Sequence, residues 1–488
     1  MIVILRTKVK NRPGRVSLTF FGFVATLAHV CLHPRGVQMC QPRSLVATPP
    51  LQGKTHRMTT VFDAGTVKVA YLGAKLLAQL KLHEGYSRHQ IKVLQEKKLR
   101  KLIQHAYHNT LYYHRLFDKL GLSPDQIETL EDLKRLPPLT KSDVREHPSL
   151  TSGGFQRPKE NAISVHTTGS TGSVLQVLLN DREYIESTTF VVYGFLKSGA
   201  RFWDRFVEIV VPTYQRPHFA FERLGLLRQQ VFDLRDGVET TLSRIAELKP
   251  TVLYSYPTFL ALLARRLQER KSIVHRPRLV VTNGEVLEEH DRTLIQEAFE
   301  CPVRNSYGAA EVFRIAYECA HNRLHVVPDS CIVEIDESTL GSDGLAEIFV
   351  TPLYIRTHPL IRYRLGDRVA LSDETCPCGS NFSTIRSVAG RSDDYLTLPS
   401  GKKISPRAIY LADHLRDILE YQIVQKTPGR FDVYVRPNSS YGPESQRAIE
   451  QTIAAGCLPD LVKVNVQTVD EVKRTATGKL AKIISEVR

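Results

Sequence analysis

Ile163-Ser164-Val165-His166-Thr167-Thr168-Gly169-Ser170-Thr171-Gly172-Ser173-Val174-Leu175-Gln176-Val177-Leu178-Leu179 sets a run of hydroxyl and glycine residues between two short apolar segments. Both flanks are rich in β-branched and aliphatic residues and predict strands. The loop between them can turn several backbone N–H groups and hydroxyls toward one point, an arrangement that suits a polyphosphate. Its glycines let a ligand approach the backbone without a Cβ in the way. A plain hairpin turn has the same composition. The run does not end in the Gly-Lys-Ser/Thr of a P-loop, and no helix follows directly. Its meaning therefore rests on the rest of the chain.

Working outward, the parallel-sheet pattern comes next. Strand-like runs at residues 206–211, 251–255, 279–282 and 303–306 alternate with helix-like runs at 182–197, 237–248, 258–268 and 287–299. Alternation of this kind predicts an α/β fold with layered sheets and parallel pairing. After Pro328 the runs shorten (residues 331–335 and 346–350), which predicts a smaller β-rich subdomain. Upstream, Ile91, Leu94, Leu99, Leu102, Ile103 and Ala106 keep close to a 3.6 period and predict a helix over residues 88–116 with a basic outer face. Pro137-Pro138 ends the next helix, and Thr140 to Asp143 reads as a new helix start. Beyond Gly390-Arg391-Ser392-Asp393-Asp394 the composition changes again, to a compact α+β unit. The division expected is an extension over residues 1–62, a large domain over 63–389, a hinge at 390–394 and a small mobile domain over 395–488.

A chain of 488 residues accommodates these domains and a large core. The net charge is +15, but residues 1–62 hold nine Lys or Arg and no acid, which leaves +6 for the other 426 residues. The globular part is only mildly basic, so a nucleic-acid partner is not implied, though an anionic cofactor would be welcome. Eight cysteines without a regular framework argue against a secreted disulfide scaffold. Ser17 to Leu32 is apolar but short of the roughly 20 residues needed to span a bilayer. The acid-free start reads as a targeting segment or, preferably, as an over-extended start with translation beginning at Met58. The expectation is a cytoplasmic protein without stable membrane insertion; a homodimer is left open.

Four further motifs follow the hydroxyl-glycine loop in order. They are Asn305-Ser306-Tyr307-Gly308-Ala309-Ala310-Glu311, Pro359-Leu360-Ile361-Arg362-Tyr363-Arg364-Leu365-Gly366-Asp367, Gly390-Arg391-Ser392-Asp393-Asp394, and Arg474-Thr475-Ala476-Thr477-Gly478-Lys479. Each is weak alone, and their joint order is specific. Together they resemble the adenylate-forming (acyl-CoA synthetase) superfamily, in particular its phenylacetate–CoA ligase and capsular-polysaccharide (CapK-like) branch. The resemblance covers roughly residues 85–488. It implies ATP-dependent adenylation of a carboxylic acid, aryl acids included, followed by thioesterification to CoA.

The same resemblance assigns roles residue by residue. Lys479, Glu311 and Arg391 become catalytic. Thr167, Thr168, Gly169, Ser170, Thr171, Gly172, Gly284, Glu285, Tyr307, Gly308, Asp367 and Asp393 become contacts to nucleotide or acyl group. The chemistry is consistent with those residue types. Displacing pyrophosphate needs charge held at the phosphates, and Glu311 is a hard-oxygen ligand for Mg²⁺. Tyr307 offers a ring to adenine, Asp367 can accept ribose hydroxyls, and Lys479 is a cation for the carboxylate and α-phosphate oxygens. Asn283-Gly284-Glu285 resembles the floor of the acyl pocket, with Tyr256 to Phe259 as a further wall. Asp393 becomes the pivot of a swinging C-terminal domain.

Two departures weigh against ordinary ligase activity. Ser173-Val174 replaces the Lys-Pro usual after the loop, and Ala310 replaces a Thr before the glutamate. They keep two alternatives open: adenylyl transfer to a hydroxyl, and a silent nucleotide-binding relative. Separately, Cys319, His325, Cys376 and Cys378 form a ligand set for a tetrahedral structural zinc, with His325 preferred over His321.

Overall fold

Runs with two-residue periodicity become strands and runs with a 3.6 period become helices. In chain order the strands are β1 (Ile163–His166), β2 (Gln176–Leu179), β3 (Arg205–Val210), β4 (Arg228–Asp233), β5 (Val252–Ser255), β6 (Leu279–Asn283) and β7 (Val303–Ala309). They continue as β8 (Phe313–Glu318), β9 (Leu324–Val326), β10 (Cys331–Ile335), β11 (Ala346–Pro352), β12 (Tyr363–Ser372) and β13 (Thr384–Arg391). The last six are β14 (Leu396–Thr397), β15 (Lys403–Ile404), β16 (Ile418–Thr427), β17 (Arg430–Pro437), β18 (Lys463–Thr468) and β19 (Ile483–Ser485). The structure, a computed structural model, describes residues 64–150, 163–166, 175–211, 222, 225–270, 275–341, 343–372, 374–391, 396–404, 406–409, 411, 417–475 and 478–487. The chain divides into two units, Met1–Ala78 and Gln79–Arg488. Of the first, the described residues belong to the helix Ala64–His83. Among the described residues no helix is long and apolar enough to cross a membrane.

Eleven of these strands form one sheet in the order β10-β11-β12-β13-β9-β8-β7-β6-β5-β3-β4. The β4-β3-β5-β6-β7 half is parallel throughout. From β8 onward every pairing is antiparallel. The expected β-rich subdomain is therefore not a sheet of its own: its strands extend the parallel sheet. They can do so because the tight β7–β8 turn reverses the chain where a helical crossover would have kept it parallel.

Alternate residues of the parallel strands face two layers. Val207, Ile209, Leu253, Val280 and Val303 pack with Leu242, Ile245, Leu260, Leu263, Ile295 and Phe299 of the helices Gly237–Leu248, Pro257–Arg270 and Glu289–Phe299. Phe206, Val252, Leu279 and Val281 face the other way, with Phe195 of the helix Asp181–Lys197. Each fully buried leucine here contributes roughly 2 kcal/mol. The periodic stripe upstream is buried as expected at Ile91, Leu99, Leu102, Ile103 and Ala106, but one helix becomes two, Arg88–Asn109 and Leu111–Leu120. Thr110 makes the break. Its backbone is extended and its hydroxyl accepts the Tyr113 N–H, capping the second helix.

The C-terminal region has its own sheet, β18-β17-β16-β19, crossed by the helix Pro443–Gly456 and centred on Ile423, Phe431, Val433, Ile449 and Ile453.

Candidate active site

Parallel strands aim their carboxyl ends at one edge of a sheet, and ligands of α/β proteins bind there. At that edge β5 delivers Tyr256, β6 delivers Gly284 and Glu285, and β7 delivers Tyr307 and Gly308. The β1–β2 hairpin is formed as expected, with His166 paired to Gln176. The loop it closes, including Thr167, Thr168, Gly169, Ser170, Thr171, Gly172 and Ser173, lies outside the described residues.

The edge is reached from the far end of the sheet as well. Tyr307 Oη donates to Asp367 Oδ2 at 2.6 Å, and Tyr363 Oη donates to Glu311 Oε1 at 3.1 Å. β12, which carries Tyr363 and Asp367, stands four places from β7 in the sheet. The sheet must therefore curl until its antiparallel half faces the parallel edge. Tyr307 and Glu311 are buried, at 9% and 4% exposure. Gly308 has a packing reason for being glycine: a Cβ there would lie 1.9 Å from the Phe313 carbonyl oxygen. Arg391 is placed beside this group by its backbone, since its Cα is the register partner of Asp367. Asp393 lies outside the described residues.

Lys479 enters from the C-terminal region. Its loop is self-supporting: Thr475 N–H donates to the Lys479 carbonyl at 2.9 Å, and Lys479 N–H donates to Thr475 Oγ1 at 3.1 Å. Arg474 pairs with Glu420 and donates from Nη1 to the Gly478 carbonyl at 3.0 Å. Glu285 docks the loop. One carboxylate oxygen accepts the Leu480 N–H at 2.7 Å, and the other accepts Thr258 Oγ1 at 2.7 Å and Thr258 N–H at 3.2 Å. The side chain thus caps the helix Pro257–Arg270 and holds the incoming loop at once. Burial pushes its carboxyl above the usual range, against the pull of those donors.

The docked lysine runs over Gly284. A Cβ at that position would come 3.1 Å from Lys479 Cε and 3.0 Å from Tyr256 Cε1, and Gly284 has φ +74°. Both demands select glycine. Lys479 Nζ ends 5.7 Å from the centre of the Tyr256 ring. Farther along the same seam, Lys482 Nζ meets Asp291 Oδ2 at 2.9 Å.

The sulfur ligands gather on the β8–β9 hairpin and the β12–β13 connection. Cys319 Sγ and Cys376 Sγ are 3.7 Å apart, Cys378 Sγ and His325 Nε2 are 3.4 Å apart, and the four ligand atoms all lie within 4.8 Å of one another. With bonds of about 2.3 Å to sulfur and about 2.0 Å to nitrogen, a tetrahedral zinc needs S···S edges of about 3.8 Å and S···N edges of about 3.5 Å. The Cys319–Cys376 and Cys378–His325 edges match those lengths. His325 is fully buried, and its ring is stacked on Tyr317 at 5.6 Å. His321 takes part only through its backbone N–H, 3.4 Å from Cys319 Sγ.

The structure thus brings Gly284, Glu285 and Lys479 together, joins Tyr307 to Asp367, and assembles the Cys/His set. Sequence reasoning passed over Tyr363, although it lies inside a quoted motif, and the Asp291–Lys482 contact, for which no local signal exists.

No family model matches the chain. It is 27% identical over 369 residues to a phenylacetate–coenzyme A ligase of Thermus thermophilus, covering 72% of this chain and 81% of that one. It is 25% identical over 357 residues to protein CapK of Staphylococcus aureus, covering 70% and 77%. In fold it is similar to 2-hydroxyisobutyryl-CoA ligase, solved in the postadenylation state in complex with R3-HIB-AMP. That superposition has a TM-score of 0.68 at 20% identity and covers 83% of this chain and 91% of the other.

Proposed function

We propose that this chain, which belongs to the phenylacetate–CoA ligase-like branch of the adenylate-forming enzymes, activates a carboxylic acid with ATP and passes the acyl group to CoA. The observation that carries this reading is the docking of Lys479 over Gly284, with the Glu285 clamp beneath it. It sets a cation at the carboxyl edge of the sheet, where Tyr307 and Asp367 also converge.

In the first half-reaction a carboxylate oxygen of the substrate attacks the α-phosphorus of ATP. The new O–P bond gives the acyl adenylate, and the bond to the β-phosphate oxygen breaks to release pyrophosphate. Negative charge builds on the oxygens around the α-phosphorus, and Lys479 answers it from a partly desolvated position. Asp367, oriented by the Tyr307 hydroxyl, takes the ribose, and the donors of residues 167–172 take the outer phosphates. Glu311 is the residue to hold Mg²⁺, which when bound neutralises phosphate charge. In the second half-reaction the CoA thiolate attacks the acyl carbon and AMP leaves, after the C-terminal domain swings about residues 390–394 and withdraws Lys479.

Cys319, His325, Cys376 and Cys378 would hold a structural zinc, tying the β8–β9 hairpin to the loop before β13. A cytoplasmic location, where free ATP and CoA are available, accords with this reading.

Acid-dependent exchange of pyrophosphate into ATP tests the reading. Lys479→Ala is expected to lower it by about 100- to 1,000-fold. Absence of exchange with every aryl, aliphatic and amino acid tried would refute the adenylation reading. Elemental analysis of the purified chain, with one zinc expected and lost in Cys376→Ser, checks the metal separately.

A further inference from the structure

Arg314 has no place in the reaction as described. It lies on β8 in register with Gly308, is 3% exposed, and leaves its Nε without a hydrogen-bond partner. Among the described residues no carboxylate forms an ion pair with it, and its guanidinium is hydrogen-bonded only to the neutral phenol of Tyr254, which carries no counter-charge. A guanidinium does not give up its proton, so a buried arginine stays charged. A buried charge without a counter-charge is costly, and an anionic ligand would offset that cost.

The surroundings are shaped for the guanidinium without neutralising it. Gly194 sits inside the helix Asp181–Lys197, where a glycine weakens the helix. Its reason is space: a Cβ there would lie 3.1 Å from Arg314 Nε and 3.4 Å from Cζ. The Phe195 ring covers the group, with its centre 5.3 Å from Cζ. Tyr254 Oη receives the Asn283 amide N–H, and the Ser306 hydroxyl lies beside it. Asn283 Oδ1 is a second buried atom without a partner.

The position of this cluster connects it to the active site. Asn283 and Ser306 each precede a site residue, Gly284 and Tyr307, and Tyr254 stands two residues before Tyr256. Two residues of strand span about 7 Å, the length of a short aliphatic or single-ring acid. We infer that Arg314 is the anion-receiving end of the acyl pocket, so that the acid activated here carries a second anionic group. The substrate class rests on the adenylation reading; the anion site does not.

The test uses the full-length chain and matched pairs of acids: succinate and butyrate, adipate and hexanoate, terephthalate and p-toluate. In pyrophosphate exchange the favoured diacid is expected to exceed its monoacid partner in kcat/KM by at least about 100-fold, as when an analogue leaves a buried polar group unpaired. In Arg314→Met the ratio falls toward one, whereas Arg314→Lys keeps most of it. Without ligand, Arg314→Met melts a few degrees higher, because an unpaired buried charge has been removed. Equal rates for diacid and monoacid in the parent chain overturn the inference. So does an Arg314→Met chain that melts lower and loses both acids alike, which would make the arginine structural. If no acid supports exchange at all, the adenylation reading fails and melting still decides the anion site. A diacid that raises the melting temperature of the parent but not of Arg314→Met sustains it, and no shift in either removes it.

Discussion

Arg362 and Arg314 are both buried along one sheet, at 9% and 3% exposure, and their surroundings are opposite in kind. Arg362, just before β12, donates from Nε to Glu334 Oε1 at 3.1 Å and from Nη1 to the carbonyls of Lys134 at 3.1 Å and Leu136 at 2.5 Å. Its guanidinium also lies 4.9 Å from the centre of the Phe349 ring. Those bonds tie the segment before Pro137 to the antiparallel half of the sheet. Arg314 has a tyrosine, a phenylalanine and a glycine-made gap. Burial alone therefore does not separate a structural charge from a functional one. The separation comes from whether the chain itself supplies the partners.

The largest effect that can break this comparison is the loss of Arg362. Arg362→Met strands Glu334, a carboxyl that burial already pushes above its usual range. Removing one member of a buried pair costs about 3–5 kcal/mol, readable as a lower urea midpoint. Arg362→Met with Glu334→Leu should recover much of that loss, since no charge is then stranded. If Arg362→Met and Arg314→Met destabilise the chain equally, the two arginines are not different in kind.

His358 sharpens the contrast, because it is buried without partners and yet can shed its charge. It is 6% exposed, and neither ring nitrogen has a hydrogen-bond partner. Burial lowers its pKa from 6.5 to about 4. The unfolded chain takes up a proton as pH falls through 6.5, and the folded chain does not until about 4. The unfolded state binds more protons in that window, so stability is full above pH 6.5 and falls as pH drops. The loss reaches about 3 kcal/mol near pH 4. His358→Leu should flatten this part of the profile; parallel profiles for the two chains would sink the assignment. Arg314 has no such escape, because a guanidinium keeps its proton.

What the sequence made legible follows the same physics. Period-2 and period-3.6 patterns are local, and the parallel strands and the helix Gly237–Leu248 stand where those patterns put them. Motif order singled out Tyr307 and Asp367, which share a hydrogen bond, Glu311, which accepts from Tyr363, and Lys479, which reaches Gly284. Side-chain partnering across the sheet was not legible. Glu285 and Leu480 are 195 residues apart, and nothing local marks the glutamate as the clamp of an incoming loop. Arg314 was hidden for a related reason, since Phe-Arg-Ile-Ala-Tyr-Glu reads as an alternating strand whose polar residues should face water. It does not, because the helix Asp181–Lys197 covers that face. The single helix expected over residues 88–116 failed at Thr110, where a cap outcompeted propensity.

The smallest effect belongs to a charge pair of intermediate character, Asp291 with Lys482. Asp291 is 2% exposed, and the Lys482 side chain is 13% exposed. Burial pushes the Asp291 carboxyl up, and Lys482 and His290 more than reverse it, leaving the group below the usual range. A depressed carboxylate contributes stability above its unfolded pKa of about 3.9 and loses it as pH falls through the folded value, so this contact is constant across neutral pH. It lies in the seam through which Lys479 reaches Gly284, not within one region as Arg362 does. Lys482→Met leaves His290 beside the carboxylate, and about 1.5 kcal/mol is expected to go, with a smaller fall in urea midpoint than for Arg362→Met. If the seam opens between half-reactions, that loss falls on docking and slows pyrophosphate exchange by roughly tenfold. Exchange unchanged beside a midpoint lowered as far as in Arg362→Met would instead make the pair part of a fixed core. A C-terminal region anchored in that way could not withdraw Lys479.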